Sequence, residues 1–190
     1  VAGIIPFSIL NQTSQEIATD SEGNPLSVQF AGFSPNSQDV VLLDAGNWQS
    51  GVISFHTGEG GNYFYSLSFV MPRDGIVRSI YVTFGSGENT SIAEGITMHP
   101  FACLATANPN TLIPRIDYTI LQETITFTEP YVGTAIGTVP RFSIRQGSLT
   151  GLNTFITAGS LVAIVIGWLG DGVTTPQTGT FTVYGGIYME

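Results

Sequence analysis

Residues Tyr63 to Phe84 read YFYSLSFVMPRDGIVRSIYVTF. Tyr63, Tyr65, Leu67 and Phe69 alternate with Phe64, Ser66, Ser68 and Val70, the period of two that gives a strand one buried face. Pro72 then fixes its own φ in the range a turn needs and has no N–H to give a ladder, and Asp74-Gly75 is a pair suited to reversing the chain. Ile76, Arg78, Ile80, Val82 and Phe84 next alternate with Val77, Ser79, Tyr81 and Thr83. The stretch therefore predicts two antiparallel strands joined as a hairpin, with Met71, Pro72, Arg73, Asp74 and Gly75 as its structural turn.

Outward from this stretch the pattern repeats. Before it stand a Pro-bearing apolar start at Gly3–Phe7, alternation at Leu26, Val28 and Phe30, an apolar run at Val40–Leu43 and a strand candidate at Trp48–Phe55. After it come Thr97–Ala105, Ile116–Leu121, Glu123–Phe127, Arg141–Ile144, Leu152–Ile156, Leu161–Trp168 and Thr178–Tyr184. Gly or Pro interrupts nearly every window long enough for a helix, and no segment sustains a period of 3.6. About ten short strands with turn signals between them predict an all-β domain, an antiparallel sandwich, jelly roll or barrel.

The 190 residues suffice for one domain with a core of its own, and residues 1–190 are read as a single unit. Only 10% of them are charged, the basic residues number five, and the net charge is -9. Nucleic-acid binding rests on clustered Lys and Arg, which this chain lacks. The longest apolar run, Leu161 to Leu169, falls well short of the roughly 20 residues of a membrane-spanning helix. No basic segment followed by an apolar one marks a secretory signal at the first residues. Cys103, the single cysteine, rules out an intramolecular disulfide, and its apolar neighbours predict a buried, inert thiol.

Chemistry finds few footholds. His99 and Cys103 are four apart, which on a strand places them on one face, but two ligands do not make a metal site, and His56 is remote. Gly-x-Ser-x-Gly is absent, and Gly85-Ser86-Gly87 reads as a polar connection. Glu59, Glu88, Glu94, Glu123 and Glu129 lie in or beside loops, where acids serve solubility more often than a glycosidase pair. The expectation is no catalytic residue, no cofactor and no metal. Asn11-Gln12-Thr13 and Asn89-Thr90-Ser91 match the N-glycosylation acceptor pattern. Trp48 and Tyr131 are candidate sugar-stacking platforms, whereas Trp168 ends an apolar run and reads as core.

Ser68-Phe69-Val70-Met71-Pro72-Arg73-Asp74-Gly75 closely resembles a turn in the C-terminal domain of BclB-type collagen-like exosporium glycoproteins of spore-forming bacilli. Gly3–Phe7, Pro109-Asn110-Thr111 with Ile113-Pro114, Gly151-Leu152, Leu161–Ile166 and Tyr184–Ile187 are similar to that domain in the same order. More loosely, the turn resembles C1q and tumour-necrosis-factor-like jelly rolls. The resemblance implies a jelly-roll head that assembles as a homotrimer at the tip of a collagen-like filament. It also implies a spore-surface or otherwise extracellular location, no catalysis, and contacts with other spore-surface proteins or host surface molecules. A trimerising head suits a collagen stem, which needs three chains in register. A mean hydropathy of +0.26 suits an obligate interface. The alternative expectation is a carbohydrate- or receptor-binding tip of a bacterial or phage fibre, built on the same trimer.

Overall fold

A computed structural model describes residues 2–9, 16–32, 39–42, 47–56, 68–88, 90–108 and 115–190. Along these the strands are β1 (Gly3–Ile9), β2 (Ile17–Thr19), β3 (Pro25–Ala31), β4 (Asp39–Leu42), β5 (Val52–His56), β6 (Phe69–Val70), β7 (Gly75–Ser86) and β8 (Thr97–Ala107). The remainder are β9 (Arg115–Ile120), β10 (Thr126–Phe127), β11 (Tyr131–Val132), β12 (Ile144–Ile156), β13 (Leu161–Asp171), β14 (Thr178–Gly179) and β15 (Phe181–Met189). A single helical turn, α1 (Asn47–Ser50), precedes β5, so Trp48 sits on a helix rather than on the strand its sequence suggested. Leu152–Ile156 is the end of the long β12, but of Arg141–Ile144, also read as a strand, only Ile144 belongs to it, because Arg141–Ser143 form a turn.

The strands form two antiparallel sheets. The small sheet runs β1-β15-β7-β12, and the large one β14-β2-β3-β13-β8-β9-β5, with β4, β6, β10 and β11 attached to it. The chain crosses repeatedly between them: β1 is in the small sheet, β3 in the large, β7 in the small, β8 in the large, β12 in the small, β13 in the large and β15 in the small. This winding makes the domain an all-β jelly-roll sandwich, as expected.

The predicted hairpin is corrected. Tyr63–Leu67 lie outside the described residues, but Phe69–Val70 pair with Val162 and Leu161 of β13, in the large sheet. β7 lies in the small sheet between β15 and β12. The Pro72 turn thus carries the chain from one sheet to the other instead of folding it back on itself. Alternation identified β7 and the Phe69–Val70 end of the first segment as strand, but it holds no information about their partners.

Inward residues of both sheets interdigitate. Ile80, Val82 and Phe84 of β7 and Val183 and Ile187 of β15 face Ile164, Ile166 and Trp168 of β13 and Met98, Ala102 and Leu104 of β8. Each fully buried large side chain contributes about 1.5–3 kcal/mol. Phe181 joins the layers: its ring lies 5.1 Å from Trp168, 5.5 Å from Phe84 and 5.8 Å from Tyr131. A second apolar cluster, including Phe30, Phe101, Cys103, Tyr118 and Val165, lines the other face of the large sheet.

Two bulges adjust the small sheet. On β7, Val77 pairs with Met189 and Ser79 with Tyr188, so Arg78 is the extra residue. Val77 consequently turns inward and is fully buried, while Arg78 reaches Glu190 at 2.9 Å, against the simple alternation read from sequence. On β12 the register shifts between Thr150 and Thr154, where Gly151 takes φ 75°, a conformation suited to glycine.

Gly185 and Gly186 occupy opposite faces of β15, and space decides their tolerance. A Cβ on Gly185 would stand 2.1 Å from Phe7 Cζ and 2.5 Å from the Tyr81 carbonyl oxygen, whereas on Gly186 the nearest atom is 3.7 Å away. Gly185→Ala is therefore expected to cost about 1–3 kcal/mol in urea unfolding, and Gly186→Ala to stay within about 0.5 kcal/mol of the parent. Equal effects would show that the two faces of β15 are wrongly assigned.

Candidate functional site

The turn from Met71 to Gly75 is a clamp between sheets. Met71 N donates to the Ser160 carbonyl at 2.9 Å, Gly159 N donates to the Met71 carbonyl at 2.8 Å, and Ala158 N donates to Asp74 Oδ1 at 2.8 Å. These three bonds tie it to the β12–β13 connection. Met71 is buried against Gly75, where a Cβ would stand 3.1 Å from its Cε. Pro72, Arg73 and Asp74 are exposed beside an apolar hollow of about 240 Å³ that Ile5, Phe69 and Met189 help to line. Asp74 thus has an identified structural task.

Tyr131 occupies a core position. It is 1% exposed; its hydroxyl donates to the Ser143 carbonyl at 2.6 Å, and the Arg145 guanidinium lies 4.6 Å from its ring centre. With Phe181 also packed against it, Tyr131 offers no open face for a sugar, because the short β11 turns Tyr131 inward and Val132 outward. Burial pushes its phenol up to about 12, with Arg145 opposing the shift. Trp168 is fully buried, and among the described residues its Nε1 is a buried side-chain polar atom without a hydrogen-bond partner. Such an orphan costs about 1–3 kcal/mol.

Trp48 is placed differently. It is partly buried, its ring 4.9 Å from that of Phe101 at 40°, and it borders an open cleft of about 620 Å³. Asn24, Gln49, Ser50, Gly51, Thr119, Ile120 and Gln122 complete the lining. Gly51, at φ 72°, ends α1 and donates its N–H to the Trp48 carbonyl at 3.1 Å. Its own carbonyl accepts from Ile120 N at 2.8 Å, so α1 is fastened to the end of β9. Sequence reasoning singled out Trp48 but not the polar residues around it, which come from three separated segments.

The remaining candidates do not converge on a reactive centre. His99 Nε2 and Asp171 Oδ2 are 2.9 Å apart at the surface, while Cys103 is buried and its thiol is pushed up by desolvation. Among the described residues no group of three or more His, Cys, Asp or Glu gathers as metal ligands. Glu88 pairs with Arg141, Glu123 accepts from Thr154 at 3.2 Å, and Glu94 and Glu129 are exposed. Gly85 and Ser86 belong to the end of β7, and Ser86 Oγ donates to the Pro140 carbonyl at 2.7 Å rather than lying in a flexible connection. Asn11, Asn89, Glu59 and the segment 109–114 with its family-like residues lie outside the described residues, as does the side chain of His56.

The outward face of the small sheet is the other distinctive surface. Register sets Tyr81 opposite Gly186 and Ser148, and Thr83 opposite Tyr184 and Gln146. Tyr81 and Tyr184 are each 55% exposed and Ile4 75%. A shallow hollow of about 500 Å³ lies between the two tyrosines, and none of its lining residues is charged. No protein-family model matches the chain, and a search of curated proteins finds no match.

Tyr131→Phe is expected to lower stability by about 0.5–1.5 kcal/mol by removing one of the two hydrogen bonds that the Ser143 carbonyl accepts, the other coming from Ser86 N at 3.2 Å. The raised phenol also links stability to pH. The folded state retains a proton that the unfolded state releases above pH 10, so this contribution falls as pH rises from about 10 to about 12. Denaturation at several pH values should show a steeper alkaline loss in the parent than in Tyr131→Phe. Identical slopes would mean that the phenol is not buried as described.

Proposed function

We propose that this domain is a non-catalytic structural head: a homotrimeric jelly roll at the tip of a collagen-like filament, on the surface of a spore or otherwise extracellular. The observation that carries the reading is the outward face of the small sheet. Copies of a chain with net charge -9 repel one another at long range, and a contact centred on the uncharged hollow between Tyr81 and Tyr184 avoids setting like charges directly opposite. Ile4, Tyr81 and Tyr184 supply apolar and aromatic area, and tyrosine suits an interface because its ring packs while its hydroxyl stays hydrogen-bonded. The likeness of Met71–Gly75 and neighbouring segments to the heads of collagen-like exosporium glycoproteins, with C1q and tumour-necrosis-factor-like jelly rolls as looser relatives, supports the same reading. Its partners in this role are two further copies of the chain, with neighbouring spore-surface proteins or host molecules beyond them.

Light scattering is expected to report a mass three times that of the 20.2 kDa chain. Combining Tyr81→Arg with Tyr184→Arg should yield folded monomer, since six cations would then meet at the contact. A monomeric parent overturns the proposal, as does a double variant that stays trimeric. Sequencing the full-length protein tests the stalk separately: Gly-X-Y triplets ahead of Val1 are expected, and their absence removes the filament.

A further inference from the structure

The cleft beside Trp48 has a second use open to it. Its polar side chains are amides and hydroxyls: Asn24, Gln49, Ser50, Thr119 and Gln122. Each can both donate and accept. None of the lining residues is charged, although the chain carries 14 acids and 5 bases. An anion would find no cation among these side chains, and the carboxylate at the margin, that of Asp20, is engaged by Asn24 and by Glu22 N. A ligand made of neutral hydroxyls would find partners for both its donors and its acceptors.

The aromatic element is held in place. Trp48 rests on Phe101 in the second apolar cluster, and α1 is pinned through Gly51 to Ile120 N, so little ordering remains to be done on binding. Asn24 is held too, its Nδ2 donating to Asp20 Oδ2 at 3.2 Å and its N–H to Asp20 Oδ1 at 2.9 Å. On Gln122's side, a Cβ at Gly51 would stand 3.4 Å from Gln122 Nε2, so the amide lies close over the helix end. A fixed indole beside preset amides suits a pyranose, whose axial C–H groups pack on an aromatic face while its hydroxyls take the amides. We infer that this cleft binds a neutral saccharide, with Trp48 as the stacking platform and Gln122 and Asn24 as hydrogen-bonding partners. The cleft is lined from α1, the end of β9 with the 3₁₀ turn Gln122–Thr124 after it, and the β2–β3 turn, whereas the proposed self-contact uses the small sheet. The two functions are therefore separable.

The full chain is applied to an array carrying neutral and acidic oligosaccharides, and neutral hits are titrated by isothermal calorimetry. Saturable binding of neutral glycans is expected, weakened by at least about tenfold in Trp48→Ala and in Gln122→Ala. Tyr184→Arg should leave the affinity per chain unchanged. Because Trp48→Ala also uncovers Phe101, Gln122→Ala at the exposed rim is the decisive variant, with unchanged thermal unfolding as its control. An array with no neutral hit, hits confined to acidic glycans, or undiminished binding by a folded Gln122→Ala variant overturns the inference. Loss of trimer without loss of binding would instead count against the proposed assembly alone.

Discussion

Phe181 is the point on which the two sheets are fixed to each other. Its ring belongs to the small sheet, yet it contacts Trp168 and Tyr131 from the large one as well as Phe84 beside it. Two sheets with smooth aliphatic faces could slide past one another at small cost. Edge-on aromatic contacts at 5.1 and 5.5 Å admit little such movement, because ring orientation as well as area is specified. Gly179 makes the arrangement feasible, since a Cβ there would come within 2.6 Å of Trp168 Cη2 and 2.9 Å of Phe181 Cε2. The unpartnered Trp168 Nε1 is a cost accepted for a ring of that size at this junction.

From this junction the burden on each surface follows. The inward face of the small sheet is used by the core, leaving Tyr81 and Tyr184 outward with no element above them among the described residues. On the large sheet the other face carries its own apolar cluster, and Trp48 packs on part of it. One sheet thus presents a flat outer face, and the other a cleft at its margin. The Met71–Gly75 turn joins these halves covalently, and through Asp74 it also secures the β12–β13 crossing.

Among the described residues strand identity was legible where alternation was clean, because a half-buried strand must alternate. Partner choice was not. Pro72 and Asp74-Gly75 would equally serve a hairpin or a crossing, and the deciding contacts are with Ala158, Gly159 and Ser160, more than eighty positions away. Arg78 misled for a related reason: a bulge adds a residue without leaving a mark in the alternation. Tyr131 and Trp48 show the limit for sites. Both are aromatic residues near turn formers, yet β11 pairs with β8 and points Tyr131 inward, while α1 leaves Trp48 beside the solvent-open cleft. The cleft's amides gave no signal, because Asn24 and Gln122 are polar residues near turns, like many others in the chain.

Charge placement ties the two surfaces together. Arg141 pairs with Glu88 between strands and His99 with Asp171 where β13 ends, whereas Arg78, at the bulge within β7, reaches across the small sheet to Glu190 at the end of the chain. Each is exposed enough to contribute little to stability, so its position is better explained by what it leaves free. Both the hollow between Tyr81 and Tyr184 and the Trp48 cleft are nevertheless lined by uncharged residues inside a strongly acidic molecule. A neutral face can meet its own copy, and a neutral cleft can exchange water for hydroxyls, without the desolvation cost of burying a charge. The acidic margin meanwhile disfavours contacts that lie elsewhere on the surface, since those would set like charges together. The low charge content of the sequence is therefore informative chiefly through where the few charges are absent.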